Sequence, residues 1–163
     1  MTPEQELVFM AEQVQQLQFQ QFDLHTVWEL GTRLKNEAET RKVAISIEIR
    51  LCGRTVFAYS MPGTTPTNGD WARRKCNLVE LTHKSSYAVG RMPLQDGLTT
   101  IQRMGLDGRN YAASGGAFPI MVKGSGCVGV AAVSGLPERD DHNLVVDILA
   151  ELTGVPVETV RLP

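Results

Sequence analysis

The chain has 163 residues, a formal net charge of −2 and a hydrophobic content of 42%. This length predicts a single domain that buries a sizeable core. The small charge excludes a global field that would recruit nucleic acid or an anionic membrane, and no apolar run approaches the roughly 20 residues that a membrane span needs.

The N-terminal part of the chain predicts two helices. A segment rich in Gln and Glu with spaced apolar residues indicates a helix over 4–17, followed by a bend near 19–22. Asp23 is a suitable N-cap for a second helix over 24–41, which carries an apolar stripe.

A hairpin and a third helix follow. Apolar and polar residues alternate over 43–51, which predicts a half-buried strand, and 55–61 returns as its partner after the turn "CGR". The Pro, Gly and Asn content of 62–69 predicts a loop. Asp70 then resembles the N-cap of a helix over 71–86.

The C-terminal half predicts a second hairpin and a last helix. Residues 90–116 mix a short helical stretch with many glycines, whereas 117–122 and 127–133 are apolar runs of the β type. A helix is expected over 137–153, with Pro137 in its first turn.

Gly124, Gly126 and Gly129 have the G-x-G-x-x-G spacing of a dinucleotide-binding loop. That loop requires a strand before the glycines and a helix after them, so that the helix N-terminus faces the pyrophosphate. Here the glycines lie between two strand-like runs. We therefore predict a hairpin turn and no NAD or FAD site.

Arg73, Arg74 and Lys75 crowd the first turn of the predicted third helix, where cations oppose the helix dipole. An anionic ligand at that helix N-terminus would reverse the sign of this interaction. The alternative is an i, i+4 pair between Asp70 and Arg74 on a solvated face. Both interpretations stay open from the residues alone.

The histidines and serines do not form a recognisable catalytic motif. His25 and His142 are expected at polar helix starts on the surface, and His83 lies late in the third helix near Ser85 and Ser86. There is no G-x-S-x-G elbow and no paired metal-ligand spacing. The serines are expected to close a helix C-terminus.

Cys52, Cys76 and Cys127 are few and far apart, with no C-x-x-C motif. This usage favours a reducing compartment, taken here as the cytoplasm, and argues against a disulfide framework or a cysteine zinc site. Cys76 follows the basic cluster, which would lower its pKa, although a small core residue is the more common environment.

A family resemblance rests on "GGAFPIMVKGSGCVGVAAVSGLPERDDHNLVVDIL" (115–149), with its Gly-Gly-x-x-Pro entry, hairpin, "VGV-x-x-x-SG" strand and acidic start of the last helix. This run resembles the C-terminal signature of the GlcG/HbpS-like haem-degrading domain family, and the match extends from about residue 23 to 153. The segment 63–90 is similar to a subfamily of small bacterial and fungal proteins. Its matching residues are Trp71, Arg74, Lys75, Asn77, Ser85 and Ser86.

The resemblance implies a profilin-like α+β fold, a homo-oligomer, and links to haem binding, haem degradation and corrinoid-associated enzymes. We expect an N-terminal helical extension over 1–22 that contributes to self-association, and a GlcG/HbpS-like domain over 23–163. The predicted function is binding of an anionic small ligand, with haem as a candidate, and the alternative is a haem-degrading or small-carboxylate-modifying enzyme. The candidate ligand-binding residues are Trp71, Arg74, Lys75, Asn77, His83, Ser85 and Ser86, and no metal ligand or catalytic residue is assigned.

Overall fold

Seven helices and five strands follow one another along the chain, and the computed structural model describes all residues, 1–163. The helices are α1 (Pro3–Gln16), α2 (Leu24–Thr40), α3 (Pro66–Thr82), α4 (Ser86–Arg91), α5 (Thr100–Arg103), α6 (Glu138–Thr153) and α7 (Val157–Val160). The strands are β1 (Gln18–Phe19), β2 (Ser46–Leu51), β3 (Arg54–Ser60), β4 (Ala117–Val122) and β5 (Gly126–Ser134). No helix is both long and apolar enough to cross a membrane.

The strands form one sheet in the order β1-β4-β5-β2-β3. The two predicted hairpins, β2–β3 and β4–β5, are both present as antiparallel pairs. The expectation of a purely antiparallel sheet is wrong at one edge, because β1 pairs in parallel with β4 through Gln18 and Phe19. A two-residue strand carries too few residues to show an alternation pattern, so the sequence offered only a bend there.

Helices cover both faces of the sheet, which makes a mixed α+β molecule with three layers. Helices α2 and α6 pack on one face around Ile47, Ile49 and Val133, and α3 packs on the other through Ala72 and Cys76. The half-buried strand expected over 43–51 is therefore wrong: its polar face is also covered. Buried polar side chains on that face find partners within the protein instead of water.

The glycine-rich turn between β4 and β5 confirms the hairpin interpretation. Gly124 and Gly126 both have φ of +81°, a backbone region that favours glycine. Gly129 lies inside β5, where a Cβ atom would come within 2.1 Å of the Arg50 carbonyl oxygen. The glycine spacing therefore serves a tight turn and a close strand contact, and no helix follows it.

Helix α3 begins five residues earlier than expected. Thr65 is its N-cap, Pro66 is the first helical residue, and Asn68 accepts a hydrogen bond from the Thr65 backbone N–H at 2.9 Å. Asp70 thus lies within the helix and is not its cap. The helix ends at Thr82, and His83 follows in the left-handed conformation with φ of 54°.

Helix α1 docks on its own chain, which removes the reason for expecting it to mediate self-association. Met10 packs with Tyr87 and Leu162, and the Gln13 side-chain amide donates to the Val160 carbonyl at 2.6 Å. The carboxylate of Glu6 pairs with the guanidinium groups of two arginines, Arg91 and Arg139. The division into an extension over 1–22 and a domain over 23–163 stays a prediction.

Candidate functional site

A cavity of about 450 Å³ lies between α3 and the segment that runs from the end of α4 to the start of β4. Trp71 and Arg74 are three residues apart on α3 and therefore share one helix face. Met92, Ile101 and Tyr111 contribute to the facing wall. The volume falls within the roughly 300–1,000 Å³ that small-molecule clefts span, so the cavity is large enough for a small ligand.

Arg74 is the only charged side chain among the residues that line this cavity. Its guanidinium carbon lies 4.1 Å from the centroid of the Trp71 ring, and its Nη2 donates to the Gly108 carbonyl at 2.7 Å. The Nε atom of Arg74 is buried and has no hydrogen-bond partner. An unpaired buried donor costs about 1–3 kcal/mol, and this atom has almost no accessible surface, so a ligand in the cavity does not reach it.

Positive charge exceeds negative charge beside this cavity. The Asp70 carboxylate accepts from Arg109 at 2.6 Å and from Arg73 at 3.1 Å, and lies 4.0 Å from the Arg74 guanidinium. The hydrogen bond from Arg109 is the main reason why the pKa of Asp70 is lowered. One carboxylate thus serves three guanidinium groups, and Asp107 adds a second negative charge near Arg109, so one positive charge of this cluster remains unbalanced.

The i, i+4 pair between Asp70 and Arg74 is therefore present, but at the 4.0 Å limit of an ion pair. The premise of the anion-site interpretation is wrong, because Arg73, Arg74 and Lys75 lie beyond the first turn of α3 and far from its N-terminal N–H groups. The loop predicted over 62–69 is also wrong in its second half, which is helical from Pro66 onward. An anion site on α3 would therefore be formed by the Arg74 side chain, without the backbone N–H groups of the helix N-terminus.

Lys75 points into the protein and not into the cavity. Its side chain is 3% exposed, and its ammonium donates at 3.1 Å to both the Asp141 carboxylate and the Val133 carbonyl. Burial lowers the pKa of Lys75 and raises the pKa of Asp141, whereas the attraction between the two charges opposes both shifts. The backbone N–H groups of Gly135 and Leu136 also donate to Asp141, so this pair ties α3 to the start of α6.

Asn77 belongs to a polar cluster between α3 and the sheet. Its side-chain carbonyl accepts from Arg50 at 2.8 Å, and its side-chain amide donates to the Asn110 carbonyl at 2.7 Å. Arg50 also pairs with Glu48 and Glu80. Glu80 Oε1 is buried without a hydrogen-bond partner, but both side-chain groups of Asn77 are bonded. Asn77 therefore positions the segment around residue 110, and it does not line the Trp71 cavity.

His83 and Ser85 lie at a second, smaller cavity of about 280 Å³ between α1 and α4, whose other lining residues include Met10 and Met92. Met92 lines both cavities, so the two are neighbours. The hydroxyl of Ser85 caps α4 by accepting from the Ala88 N–H at 3.1 Å. The expectation that the serines close a helix C-terminus is wrong for Ser85, because it begins a helix.

Ser86 is fully buried away from both cavities. Its hydroxyl accepts from the Ala117 N–H at 3.0 Å and donates to the Ala117 carbonyl at 3.4 Å. This exchange connects α4 to the first residue of β4. The predicted ligand-binding residues are therefore distributed over two cavities and three internal contacts, and only Trp71 and Arg74 meet at one cavity.

His142 is the clearest correction among the histidines. It was expected at the surface, but it is 1% exposed, and its Nε2 lies 3.0 Å from the Gln13 side-chain oxygen. Because the Gln13 amide nitrogen already donates to Val160, the oxygen faces His142 and His142 Nε2–H donates. Burial lowers the pKa of His142 to about 3, and the nearby Arg139 adds to this.

The remaining reactive groups are the cysteine thiols and the side chains that could ligate a metal ion. Burial raises the pKa of the Cys76 thiol, so the basic residues beside it do not activate it. Cys52 and Cys127 are also free thiols. No group of three or more His, Cys, Asp or Glu side chains is arranged to hold a metal ion.

Sequence reasoning missed the wall of the Trp71 cavity that comes from residues 92–114. Tyr111 and Ser114 are examples, and the Ser114 hydroxyl donates to Glu138 at 3.4 Å. The available signal was weak: an aromatic residue between glycines, in a segment without periodicity. Their approach to Trp71 is set by contacts across the fold, such as the hydrogen bond from the Ala112 N–H to the Arg74 carbonyl.

Haem can be tested against the side chains of the two cavities. Haem iron is usually ligated by His, Cys, Met or Tyr, and His83, Met92 and Tyr111 are residues of these types at the cavity walls. Haem also carries propionate groups, and Arg74 is the charged side chain of the Trp71 cavity wall that could pair with such an anion. These donors fit haem as well as a smaller carboxylate.

A larger groove of about 590 Å³ between α2 and β3 offers different chemistry. Trp28, Phe57 and Tyr59 line it, and its one charged side chain, Lys35, already pairs with Glu39 at 2.7 Å. This groove is an apolar surface with no free charge. We therefore place the candidate ligand site at the Trp71 cavity although that cavity is smaller.

Comparison with known proteins identifies related sequences over almost the whole chain. The family model described as "Haem degrading protein HbpS-like" matches residues 22–150. A UPF0303 protein of Azotobacter vinelandii is 49% identical over 162 residues, which cover 99% of this chain and 98% of that protein.

Solved structures share the fold at low sequence identity. The crystal structure of Ybr137w protein superimposes with a TM-score of 0.82 at 22% identity, covering 91% of this chain and 87% of that one. The crystal structure of a PduOC–haem complex superimposes with a TM-score of 0.68 at 14% identity, covering 79% of this chain and 93% of that one.

Proposed function

The chain belongs to the HbpS-like haem degrading protein family, and from this premise we propose that it is a homo-oligomeric binding protein for a small anionic ligand, with haem as a candidate. The ligand occupies the cavity between Trp71 and residues 92–114. One observation carries the proposal: Arg74 is the only charged residue of the cavity wall, and its guanidinium stacks on the Trp71 ring in that wall.

Each side chain of the proposed site has a definite task. Arg74 donates to the carboxylate of the ligand, and Trp71 holds the guanidinium plane by stacking on it at 4.1 Å. Arg73 and Arg109 attract the anion toward the site, because Asp70 neutralises only part of their charge. The PduOC protein, whose fold is similar, was crystallised with haem, which supports haem as the first ligand to test.

The test is a titration of the protein with haemin, monitored at the Soret band, with thermal midpoints measured in parallel for haemin, phosphate and small carboxylates. Arg74→Gln is expected to weaken binding about tenfold, since a hydrogen bond to a charged group contributes about 1.5–3 kcal/mol. Arg33→Gln is the matched control, because Arg33 is a partly exposed arginine on α2 that does not line the cavity. Equal affinity of both variants and the parent would contradict the proposal.

The family description keeps an enzyme as the second candidate: haem degradation, or modification of a small carboxylate. Bound haem supplies iron-centred redox chemistry that needs few protein groups. The chain's own contribution would be to orient the haem through Arg74 and to exclude water. Adding a reductant in air separates the two: loss of the Soret band faster than in a protein-free control indicates degradation, and a stable shifted band indicates binding.

Self-association is proposed through the apolar groove at β3, with a second copy of the chain as the occupant. β3 lies at the edge of the sheet, so its outer backbone groups are unpaired. Trp28 is 67% exposed and Tyr59 is 41% exposed beside this edge. An antiparallel pairing of two β3 strands about Phe57 would place Arg54 opposite Ser60, so no like charges would face each other.

Sedimentation of two matched variants tests this surface. Tyr59→Lys adds a charge at the β3 edge and is expected to shift the protein toward the monomer, whereas Val8→Lys, at an exposed position of α1, is expected to leave assembly unchanged. Most stable dimers have dissociation constants below about 10–50 μM. A parent protein that is monomeric at these concentrations would therefore contradict self-association. Dissociation by Val8→Lys alone would move the interface to α1.

We also propose a profilin-like topology for the sheet and its two helical layers. We propose a cytoplasmic location as well, because all three cysteines are free thiols. The net charge of −2 gives no basis for nucleic-acid binding. Labelling of free thiols in protein isolated under non-reducing conditions tests the location. Finding disulfide-linked cysteines would contradict it.

A further inference from the structure

We infer that residues 93–106 form a lid over the Trp71 cavity, which closes on the bound ligand through Leu94 and Ile101. Residues 107–112, here called the fixed segment, stay attached to α3 while the lid moves. The inference rests on the proposed function, because it takes the Trp71 cavity as the binding site. It adds a moving part to that site.

The lid, which includes α5, takes no part in the protein core. None of the residues from 90 to 111 is buried. The hydrogen bonds of residues 93–106, such as the one from Arg103 to the Gln95 side chain, all have their partners within 92–106. A segment without buried apolar contacts opens at a low free energy. The lid can therefore move while the core stays folded.

The two ends of the loop that carries the lid meet, as they do in an Ω-loop. A Cβ atom on Gly90 would come within 2.1 Å of the Ala113 carbonyl oxygen, so the chain leaves and re-enters the fold at one place. Gly105 lies next to the fixed segment and has φ of +69°, which favours glycine. A small residue at this position is suited to absorb the backbone change of a hinge.

The fixed segment is held on α3 by polar contacts. Three successive carbonyl groups of this segment each accept a hydrogen bond from a side chain of α3, at 2.7–3.0 Å. The pairs are Gly108 with Arg74, Arg109 with Arg73, and Asn110 with Asn77. The Ala112 N–H also donates to the Arg74 carbonyl at 3.3 Å. These contacts keep the Arg74 guanidinium in place when the lid opens.

The lid presents uncharged and partly apolar groups to the cavity. Its lining residues are Leu94, Thr99, Thr100, Ile101 and Gln102. Leu94 is 63% exposed although it lines the cavity, and Trp71 on the α3 wall is 36% exposed. An apolar ligand body such as the haem ring would cover these surfaces, and their burial favours the closed lid. The charged groups of the ligand stay with Arg74.

Limited trypsin digestion of the full-length protein tests the division into a lid and a fixed segment without any ligand. Arg103 lies in the lid, whereas Arg109 lies in the fixed segment and donates to Asp70 at 2.6 Å. The initial rate of cleavage after Arg103 is expected to be at least about tenfold higher, which corresponds to one or two hydrogen bonds that hold Arg109 closed. An equal or higher rate after Arg109 would refute the division.

Haemin tests closure of the lid. Saturating haemin is expected to slow both the hydrogen exchange of the amides of 93–106 and the cleavage after Arg103. Leu94→Ser is expected to weaken haemin binding about fivefold, because the closed lid buries the leucine side chain on the ligand. Leu98→Ser is the matched control, since Leu98 is an exposed residue of the same lid that does not line the cavity. Its affinity is expected to equal that of the parent.

The outcomes separate the lid from the binding site. If haemin binds in an Arg74-dependent way but leaves hydrogen exchange of 93–106 unchanged, the lid inference is wrong while the proposed site stands. Equal haemin affinities of Leu94→Ser and Leu98→Ser would also contradict the lid. If haemin causes no Soret shift with the parent protein, haem binding and closure of the lid on haem fail together.

Discussion

Replacing Lys75 with methionine is expected to destabilise the protein strongly, because Lys75 neutralises a buried carboxylate. The variant leaves Asp141, which is 1% exposed, without its cationic partner, and it leaves the Val133 carbonyl without the ammonium donor. Removing one partner of a buried ion pair typically costs 3–5 kcal/mol. The N–H groups of Gly135 and Leu136 still donate to Asp141, so we expect the lower end, about 3 kcal/mol.

Urea unfolding at pH 7 measures this loss of stability. The protein concentration is kept in a range in which the oligomeric state does not change. With a denaturant slope of about 1–3 kcal/mol/M, the midpoint is expected to fall by about 1–3 M. Lys123→Met is the matched control, since Lys123 is exposed in the β4–β5 turn, and its free energy of unfolding is expected to stay within about 0.5 kcal/mol of the parent's. The double variant Lys75→Met/Asp141→Asn removes the buried charge and keeps an acceptor for one of the two N–H groups, so it is expected to recover part of the loss.

The pH dependence of the single variant identifies the buried carboxylate as the cause. Burial raises the pKa of Asp141 in the folded protein, and without Lys75 nothing cationic opposes the rise. A carboxyl whose pKa is raised in the folded protein destabilises the folded state at high pH, where the carboxyl is ionised. This destabilisation decreases as the pH falls and the carboxyl becomes protonated. The stability deficit of Lys75→Met should thus shrink from pH 8 to pH 5. A deficit equal to that of Lys123→Met, or one that grows toward low pH, would refute the reasoning.

Three other predictions follow from buried groups. The pKa of His142 is lowered to about 3 in the folded protein, so the folded state loses stability as the pH falls below the unfolded pKa near 6.5. The stability difference between the parent and His142→Gln should therefore shrink by roughly 2 kcal/mol from pH 7 to pH 5. Gly129→Ala should destabilise the protein more than Gly124→Ala in the same urea assay, because a Cβ at Gly129 meets a backbone oxygen at 2.1 Å and one at Gly124 meets no atom within 4 Å. Cys52, which is exposed, should react with a thiol reagent in the folded protein, whereas Cys76 should react only on unfolding, as mass spectrometry of the labelled sites would report.

The elements with strong local signals were predicted from the sequence. Asp23 begins α2 as expected, with a capping box to Thr26, and the two glycines of positive φ form the β4–β5 turn. The start of α3 was misplaced because Pro, Gly and Asn suggested a loop. The pair Thr65–Pro66 was the correct signal, since Pro is favoured in the first helical position after a Thr cap.

The candidate site was predictable only in part. Trp71 and Arg74 share a helix face, and their spacing of three residues shows it. That Lys75 turns into the core instead depends on Asp141, which lies 66 residues later in the chain. His142 is buried because Gln13 and α1 cover it across 129 residues. Contacts of this separation leave no local pattern, so a polar helix start and a buried one look alike in the sequence.

A crystal structure of the protein soaked with haemin tests the central claim most directly. We predict a propionate oxygen within about 3 Å of a guanidinium nitrogen of Arg74, with the remainder of the ligand against the wall that includes Leu94 and Ile101. Haem bound only in the His83 cavity or at the Trp28 groove, with no ligand atom near Arg74, would contradict the proposed site.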